Sequence, residues 1–445
     1  MALDRLLPRA LALLLGLVTA MAAQAGLNIQ QWTTPQGARV YFVENHDLPM
    51  LDVSTAFAAG SARDQADTSG LASMTRHMMT LGAGGLSEQD IAERLADVGA
   101  QMGGFFDQDR AGFSLRTLSG SAERDAALAV FRSVLAKPAF AADILEREKA
   151  RAIANLQEAA TKPEYLGEKA FQTAIFGTHP YALAESGEVA TVAKLSATDL
   201  QAFHVRHYRA ANMVVALMGD IDRAGAESLA AALAAELPAG EAPSPTPPVP
   251  AVVSGGEQLI PHHATQSHLF MGLPGMKRDD PDYFPLLVGN YVLGGGGFDS
   301  RLTEEIRQKR GLSYSVYSYF IPLQERGAFQ VGLQTRRDAT DEAVRVVRET
   351  IRRYLEEGPG EAELRQAKDN LVGSFPLRLD SNRKILDHLA MLGFYRLPLD
   401  WLDTYTKKVE AVTRDDILRT MRERVWPEAM TTVIVGGQSG PASGK

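Results

Sequence analysis

LPAGEAPSPTPPVPAVVSGG, residues 237–256, decides how the rest of the chain is read. Six prolines stand from Pro238 to Pro250. Each fixes its own φ and lacks an N–H, so the stretch predicts a semi-rigid extended connector without a packing pattern. The 445 residues, 45% of them hydrophobic, are enough for more than one core. The connector, 238–256, leaves two segments of comparable length, 26–237 and 257–438, followed by a short tail at 439–445 expected to fray.

Working outward, the two segments show the same plan. The first closes with HYRAANMVVALMGD, an apolar strand from Met213 into Gly219, and the second with RVWPEAMTTVIVGG, from Met430 into Gly436. A capped helix precedes each: Ser196-Ala-Thr-Asp opens one, and Thr413-Arg-Asp-Asp the other. Alternating strands lie further upstream, FSLRTLS and GAFQVGLQT, each followed by long amphipathic helices such as ERDAALAVFRSVLA and DEAVRVVRETIRRYLEE. Strands interleaved with helices in both halves predict an α+β fold. The expected form is two homologous lobes facing one another as a clamshell, each an antiparallel-rich mixed sheet covered by helices.

Composition narrows the partners and the compartment. The formal net charge is −8 and no dense Lys/Arg patch occurs, which argues against a nucleic-acid partner. Residues 1–25 have the form of a cleavable signal peptide: Arg5 and Arg9, a short apolar core, then Ala23-Gln24-Ala25. The apolar run is short for a span, which needs about 20 residues, so no membrane association beyond the signal is expected. A periplasmic or exported bacterial protein is the expectation. With no cysteine there is neither a disulfide framework nor a thiolate site, and metal chemistry would fall to nine histidines and the carboxylates.

Chemistry is first suggested by GLASMTRHM, residues 70–78. SMTRH has the spacing of H-x-x-E-H, a zinc-enzyme helix, but its first and fourth positions are Ser73 and Arg76. At about 100° per residue, Ser73, Arg76 and His77 share one side of a helix, and Leu71, Met74, Met78 and Leu81 the other. A guanidinium cannot be deprotonated to admit a cation, and a serine hydroxyl is a poor neutral ligand. Taken alone, the stretch reads as an amphipathic helix with one polar histidine.

Several further motifs stand in register with it: GSARD (60–64), GAQMGGFFDQDRAGF (99–113), FGTHPYA (176–182), YRAANMVVALMGD (208–220) and LGGGGFDSRLTEEIRQKRGLSYSVYS (293–318). With these, nearly the whole mature chain resembles the pitrilysin/insulinase metallopeptidases, the inverzincins. Within them it is similar to the two-subunit bacterial proteins and to the subunits of mitochondrial processing peptidase. The resemblance implies a zinc centre of two histidines, a base glutamate and a third ligand about 80 residues downstream. Here the corresponding positions are Ser73, Arg76, the surviving His77 and, in the best register, Asn155, with Glu158 one turn away. Gly103 and Gly104 stand where active relatives carry the Asn-Ala that positions substrate. No metal is therefore expected in this chain.

The second half retains its motif. Leu302–Arg310 reads as a helix capped by Gly311, followed by a strand with Tyr314 and Val316 on one face and Tyr317 and Tyr319 on the other. Arg307 and Tyr314 match the family's Arg/Tyr pair, which the resemblance implies reaches across the cleft to bind peptide backbone and steady an oxyanion. GGGG (294–297) lacks the context of a phosphate loop and reads as a turn, with Gly295 and Gly296 candidates for touching extended peptide. The implied function is the zinc-free subunit of a heterodimeric periplasmic peptidase, inactive alone, with zinc in its partner and Arg307 and Tyr314 donated in trans. The alternative is a stand-alone peptide-binding or scaffold pseudoenzyme.

Overall fold

The structure, a computed structural model, describes residues 27–250 and 255–436. The expected signal peptide and C-terminal tail lie outside these residues. Thirteen strands are present among them. In the first half these are β1 (Gln30–Thr33), β2 (Arg39–Glu44), β3 (Met50–Phe57), the small hairpin β4 (Gly82–Ala83) and β5 (Leu86–Ser87), β6 (Gln101–Phe106), β7 (Ala111–Leu118) and β8 (Met213–Gly219). The second half contributes β9 (Glu257–Ile260), β10 (Gln266–Pro274), β11 (Val316–Phe320), β12 (Ala328–Arg336) and β13 (Thr431–Val435).

Two sheets result, ordered β1-β2-β8-β3-β7-β6 and β11-β12-β10-β13-β9. Reading the second backwards gives the first without β1. In each, one parallel pair (β2 with β8, β9 with β13) is followed by three antiparallel pairings. The duplication expected from the strand patterns is thus repeated in pairing and polarity. Both predicted capping boxes form: Ser196 with Asp199, and Thr413 with Asp416.

β8 and β13 are buried along their whole length because both faces of each sheet are covered. Alternate residues divide between two cores. Val215 and Leu217 join the core under the first half's own helices, whereas Val214, Ala216 and Met218 pack on Ile385, Leu386 and Leu389 of helix Asn382–Tyr395, from the second half. Reciprocally, Phe171 and Phe176 of helix Pro163–Phe176, from the first half, pack on Phe270, Val433 and Val435 of the second sheet. Each exchanged helix carries a glycine where it comes closest to the sheet. A Cβ would lie 2.2 Å from the Phe270 ring at Gly167 and 2.6 Å from the Tyr41 ring at Gly393.

Polar contacts fasten the same seam. Buried Asp109 accepts from Tyr181 Oη at 2.5 Å, Tyr395 Oη at 3.0 Å and the Gln324 amide at 2.7 Å, so one carboxylate holds both halves. Burial pushes its pKa up against these donors. The proline-rich segment differs from the unpacked connector predicted: Thr246 and Val249 are buried. His179 Nε2 meets the Pro247 carbonyl at 2.8 Å, and Arg326 donates to the carbonyls of Val249 and Pro250 at 3.0 Å. The segment lies outside any strand, so its carbonyls have no ladder partner and side-chain donors from both halves take them up. Among the described residues no helix is long and apolar enough to cross a membrane.

Candidate functional site

Helix Leu71–Met78 is fixed at its start by Asp64, whose two carboxylate oxygens accept from the amides of Gly70 and Ala72, each at 2.8 Å. Burial raises the Asp64 pKa to about 7 although both N–H groups oppose it. Ser73 and His77, one helical turn apart, face a cavity of about 560 Å³. Helix Ala142–Ala159 supplies Glu148 and Asn155 to the same cavity, seven residues and so two turns apart on one face. Glu158 does not line it and pairs instead with Lys162 at 2.8 Å.

His77 Nε2 lies 2.9 Å from Glu148 Oε2, and Arg147 Nε donates to the other oxygen at 2.8 Å. Burial would raise the Glu148 pKa, but the hydrogen bonds from His77 and Arg147 outweigh it and hold the carboxyl below its usual range. Glu148 escaped the sequence reading; its only signal was the two-turn spacing from Asn155. The other polar groups lining the cavity are the neutral Ser73, Asn155, Tyr165 and Ser186 and the cation Arg151, which lies 3.7 Å from Glu148 Oε2 and is itself no ligand for a metal. Zinc takes three or four deprotonated N, S or carboxylate donors, and this set offers two that already bind each other. Among the described residues no group of three or more metal-competent side chains converges anywhere. The site does not fit the family's metal.

Arg76 departs from its expected position. It does not line the cavity with Ser73 and His77; its guanidinium turns toward the sheet, with Cζ 5.3 Å from the centroid of Phe113. There it presses on β6: a Cβ on Gly104 would fall 1.8 Å from Arg76 Nη2. Gly104 and Phe113 are cross-strand partners, so the guanidinium rests on one pair of the ladder. The physical reason is room. Only a residue without Cβ leaves a slot over that edge strand, and the aromatic face beside it attracts a cation. No carboxylate among the described residues lies within ion-pair distance of Arg76, its Nε is buried without a hydrogen-bond partner, and burial lowers its pKa. Gly103, paired with Ser114, has only the Ser114 Oγ near the place of a Cβ, at 3.2 Å.

In the second half the predicted helix is broken. Arg301–Thr303 is α-helical, Glu304–Gln308 widens into a π turn with Lys309 N bonded to the Glu304 carbonyl at 2.9 Å, and Gly311 (φ +60°) ends it. The strand begins only at Val316, so Tyr314 precedes it instead of pairing within it, and stands 82% exposed. Tyr317 and Tyr319 do share a face, stacked at 5.4 Å. Arg307 is held between two rings, with Cζ 4.3 Å from the Tyr314 centroid and 4.7 Å from that of Phe298. Its neighbouring acids are taken: Glu304 by Lys309, and Glu305 by Lys309, Arg310 and Arg353. Phe298, 67% exposed, also went unread; a lone large apolar residue closing a glycine run was its signal. Gly295 lines a cavity of about 750 Å³, while Gly296 is packed against Tyr291. Neither Arg307 nor Tyr314 lines the cavity of His77.

Comparison with known proteins agrees with this geometry. Residues 39–186 match the model of the insulinase family (peptidase family M16), and residues 194–371 match that of the peptidase M16 inactive domain. A solved structure described as a peptidase M16 inactive domain, from Pseudomonas fluorescens, is 38% identical with a TM-score of 0.89, over 93% of this chain and 98% of that one. A non-peptidase homolog, YmxG of Helicobacter pylori, is 27% identical over 96% of this chain and 98% of its own length. An uncharacterized zinc protease of Streptomyces coelicolor is 25% identical over 91% of this chain and 89% of its own. The sheet plan is duplicated, both halves are matched by models of the family and a 38% identical solved member covers 93% of the chain: the chain belongs to the insulinase family, peptidase family M16.

Proposed function

We propose that this chain is the zinc-free subunit of a periplasmic, heterodimeric insulinase-type peptidase. It lines part of the peptide chamber and donates Arg307 and Tyr314 to the active site of a zinc-bearing partner. One observation carries the reading: the chain's own metal position is chemically spent, whereas Arg307 lies between two aromatic rings with no carboxylate among the described residues to neutralise it. A half-buried cation packed on two aromatic faces, with no acidic partner among the described residues, suits hydrogen bonding to negative charge developing on a peptide carbonyl. The phenol of Tyr314, in contact with it, supplies a second donor. β6 supports the peptide-handling part of the proposal, because it is the outermost strand of its sheet and its free edge can pair with an extended chain.

The test is co-purification with an intact family member from the same cell, followed by peptide cleavage by each chain alone and by the mixture. Activity only in the mixture, lost with Arg307→Ala or Tyr314→Phe, is the expected result. Mixed activity indifferent to both substitutions overturns the donation. The relatives described as an inactive domain and as a non-peptidase homolog favour a second reading, a peptide-binding scaffold acting alone. That reading predicts peptide binding without any partner-dependent hydrolysis.

A further inference from the structure

The 750 Å³ cavity beside the glycine run has a composition that the trans-donation reading does not use. Among the described residues it is lined by Arg278 and Arg378 together with Tyr283, Tyr291, Tyr317 and Tyr319, and by no aspartate or glutamate. Neither arginine has a carboxylate within ion-pair distance among the described residues. Nearby acids are engaged elsewhere: Asp280 and Asp282 bind Arg424 at 3.2 and 3.4 Å, Asp380 binds Lys384 at 2.9 Å, and Asp299 accepts from Gln366 at 2.8 Å. Arg278 is the more constrained of the two. Its Cζ lies 5.4 Å from the Tyr395 centroid, its backbone amide is tied to the Leu323 carbonyl at 2.8 Å, and its Nε is buried with no hydrogen-bond partner among the described residues.

A buried donor without a partner costs free energy, and a guanidinium keeps its charge at any working pH. Two guanidiniums around one cavity, Arg278 with its Nε buried and Arg378 exposed, form a local exception to the prevailing field on a chain of net charge −8. The ligand that satisfies them is a carboxylate, which matches the guanidinium fork with two parallel hydrogen bonds. The tyrosines add phenol donors and flat apolar faces suited to the stem of an acidic side chain.

We propose that this cavity is a binding site for acidic peptide segments, with a glutamate or aspartate side chain held by Arg278 and Arg378. The inference rests on the preceding reading only in taking the ligand to be a peptide, and it names the class of peptide that this chain selects.

The test uses the full chain and fluorescence anisotropy of a labelled, unstructured Glu-rich peptide and its Gln-for-Glu counterpart. The acidic peptide is expected to bind at least tenfold tighter, and to weaken several-fold between 50 and 200 mM salt (as for any interaction screened over about 10 Å). Arg378→Ala should remove most of the preference, and so should Arg278→Met, which keeps an apolar stem against Tyr395. Circular dichroism confirms that both variants fold. Arg336→Ala, an exposed arginine outside the cavity, should leave peptide affinity unchanged; Arg378→Ala is read by the loss of acidic preference and Arg307→Ala by the loss of hydrolysis in the mixed subunits, so the two proposals fail separately. Equal affinity for the two peptides, or a preference untouched by both arginine variants, overturns the site. So does complete displacement of the acidic peptide by millimolar inorganic phosphate, which would make the cavity a small-oxyanion site.

Discussion

Gly104→Ala is the sharpest probe of how Arg76 is seated on the sheet. A Cβ there falls 1.8 Å from Arg76 Nη2, 2.8 Å from Cζ and 3.0 Å from Nε. Ordinary contact begins near 3.5 Å, so the guanidinium must retreat by roughly 1.5 Å or more. Retreat lifts it from the Phe113 face, a contact worth about 0.5–2 kcal/mol depending on desolvation. Against that, replacing glycine by alanine within a strand gains about 0.5–1 kcal/mol by restricting the unfolded chain. The expected net effect of Gly104→Ala alone is a loss of about 1 kcal/mol. In an Arg76→Ala background the obstacle is gone and the same change should stabilise by about 0.5 kcal/mol, a coupling of about 1.5 kcal/mol. Urea unfolding of the four proteins, followed by circular dichroism, measures it. If the two substitutions add within about 0.3 kcal/mol, the slot-and-guanidinium account is wrong.

Metal analysis of the purified, dialysed chain should give well below one zinc per molecule, whereas Ser73→His combined with Asn155→Glu should gain a measurable zinc affinity by calorimetry; stoichiometric zinc in the unaltered chain refutes the donor-set argument. Asp64 makes stability pH-dependent in an unusual direction. Its folded pKa of about 7 lies above its unfolded one, so the native state binds the extra proton and stability falls as pH rises from about 4 to 7. Relative to Asp64→Asn, the parent chain should lose stability across that window, by on the order of a few kcal/mol at most; parallel melting-temperature profiles would contradict this. Phe298→Ala should leave stability within about 0.5 kcal/mol, because the ring is largely exposed, yet lower partner-dependent peptide cleavage several-fold by freeing Arg307. Unchanged cleavage would reduce Phe298 to a bystander.

The duplicated sheets were legible because β8 and β13 are continuous apolar runs ending in glycine and β7 and β12 contain alternating stretches, signals strong enough to read without an alignment. The exchange of helices was not, because Pro163–Phe176 and Asn382–Tyr395 look like ordinary amphipathic segments. Nothing local tells a helix which of two similar sheets it will cover, and Gly167 and Gly393 acquire meaning only once the opposing ring is known. The direction of Arg76 failed for a related reason. Helical geometry placed it beside His77, but its final orientation was set by a missing Cβ on a strand 28 residues later, at Gly104. Glu148 and Phe298 were both printed in plain view. What was absent was the knowledge of what each would touch.

The exchanged helices also constrain how the chain reaches its native state. The outer face of the N-terminal sheet, with Tyr41, Val43 and Val214, stays wet until residues 382–395 have been synthesised, some 170 residues after β8 is complete. Closure therefore depends on contacts of very long sequence separation, which favours slow maturation and a single melting event over two independent ones. A ribosome-released N-terminal fragment would present a sticky apolar wall, and co-expressed halves should rescue one another's solubility.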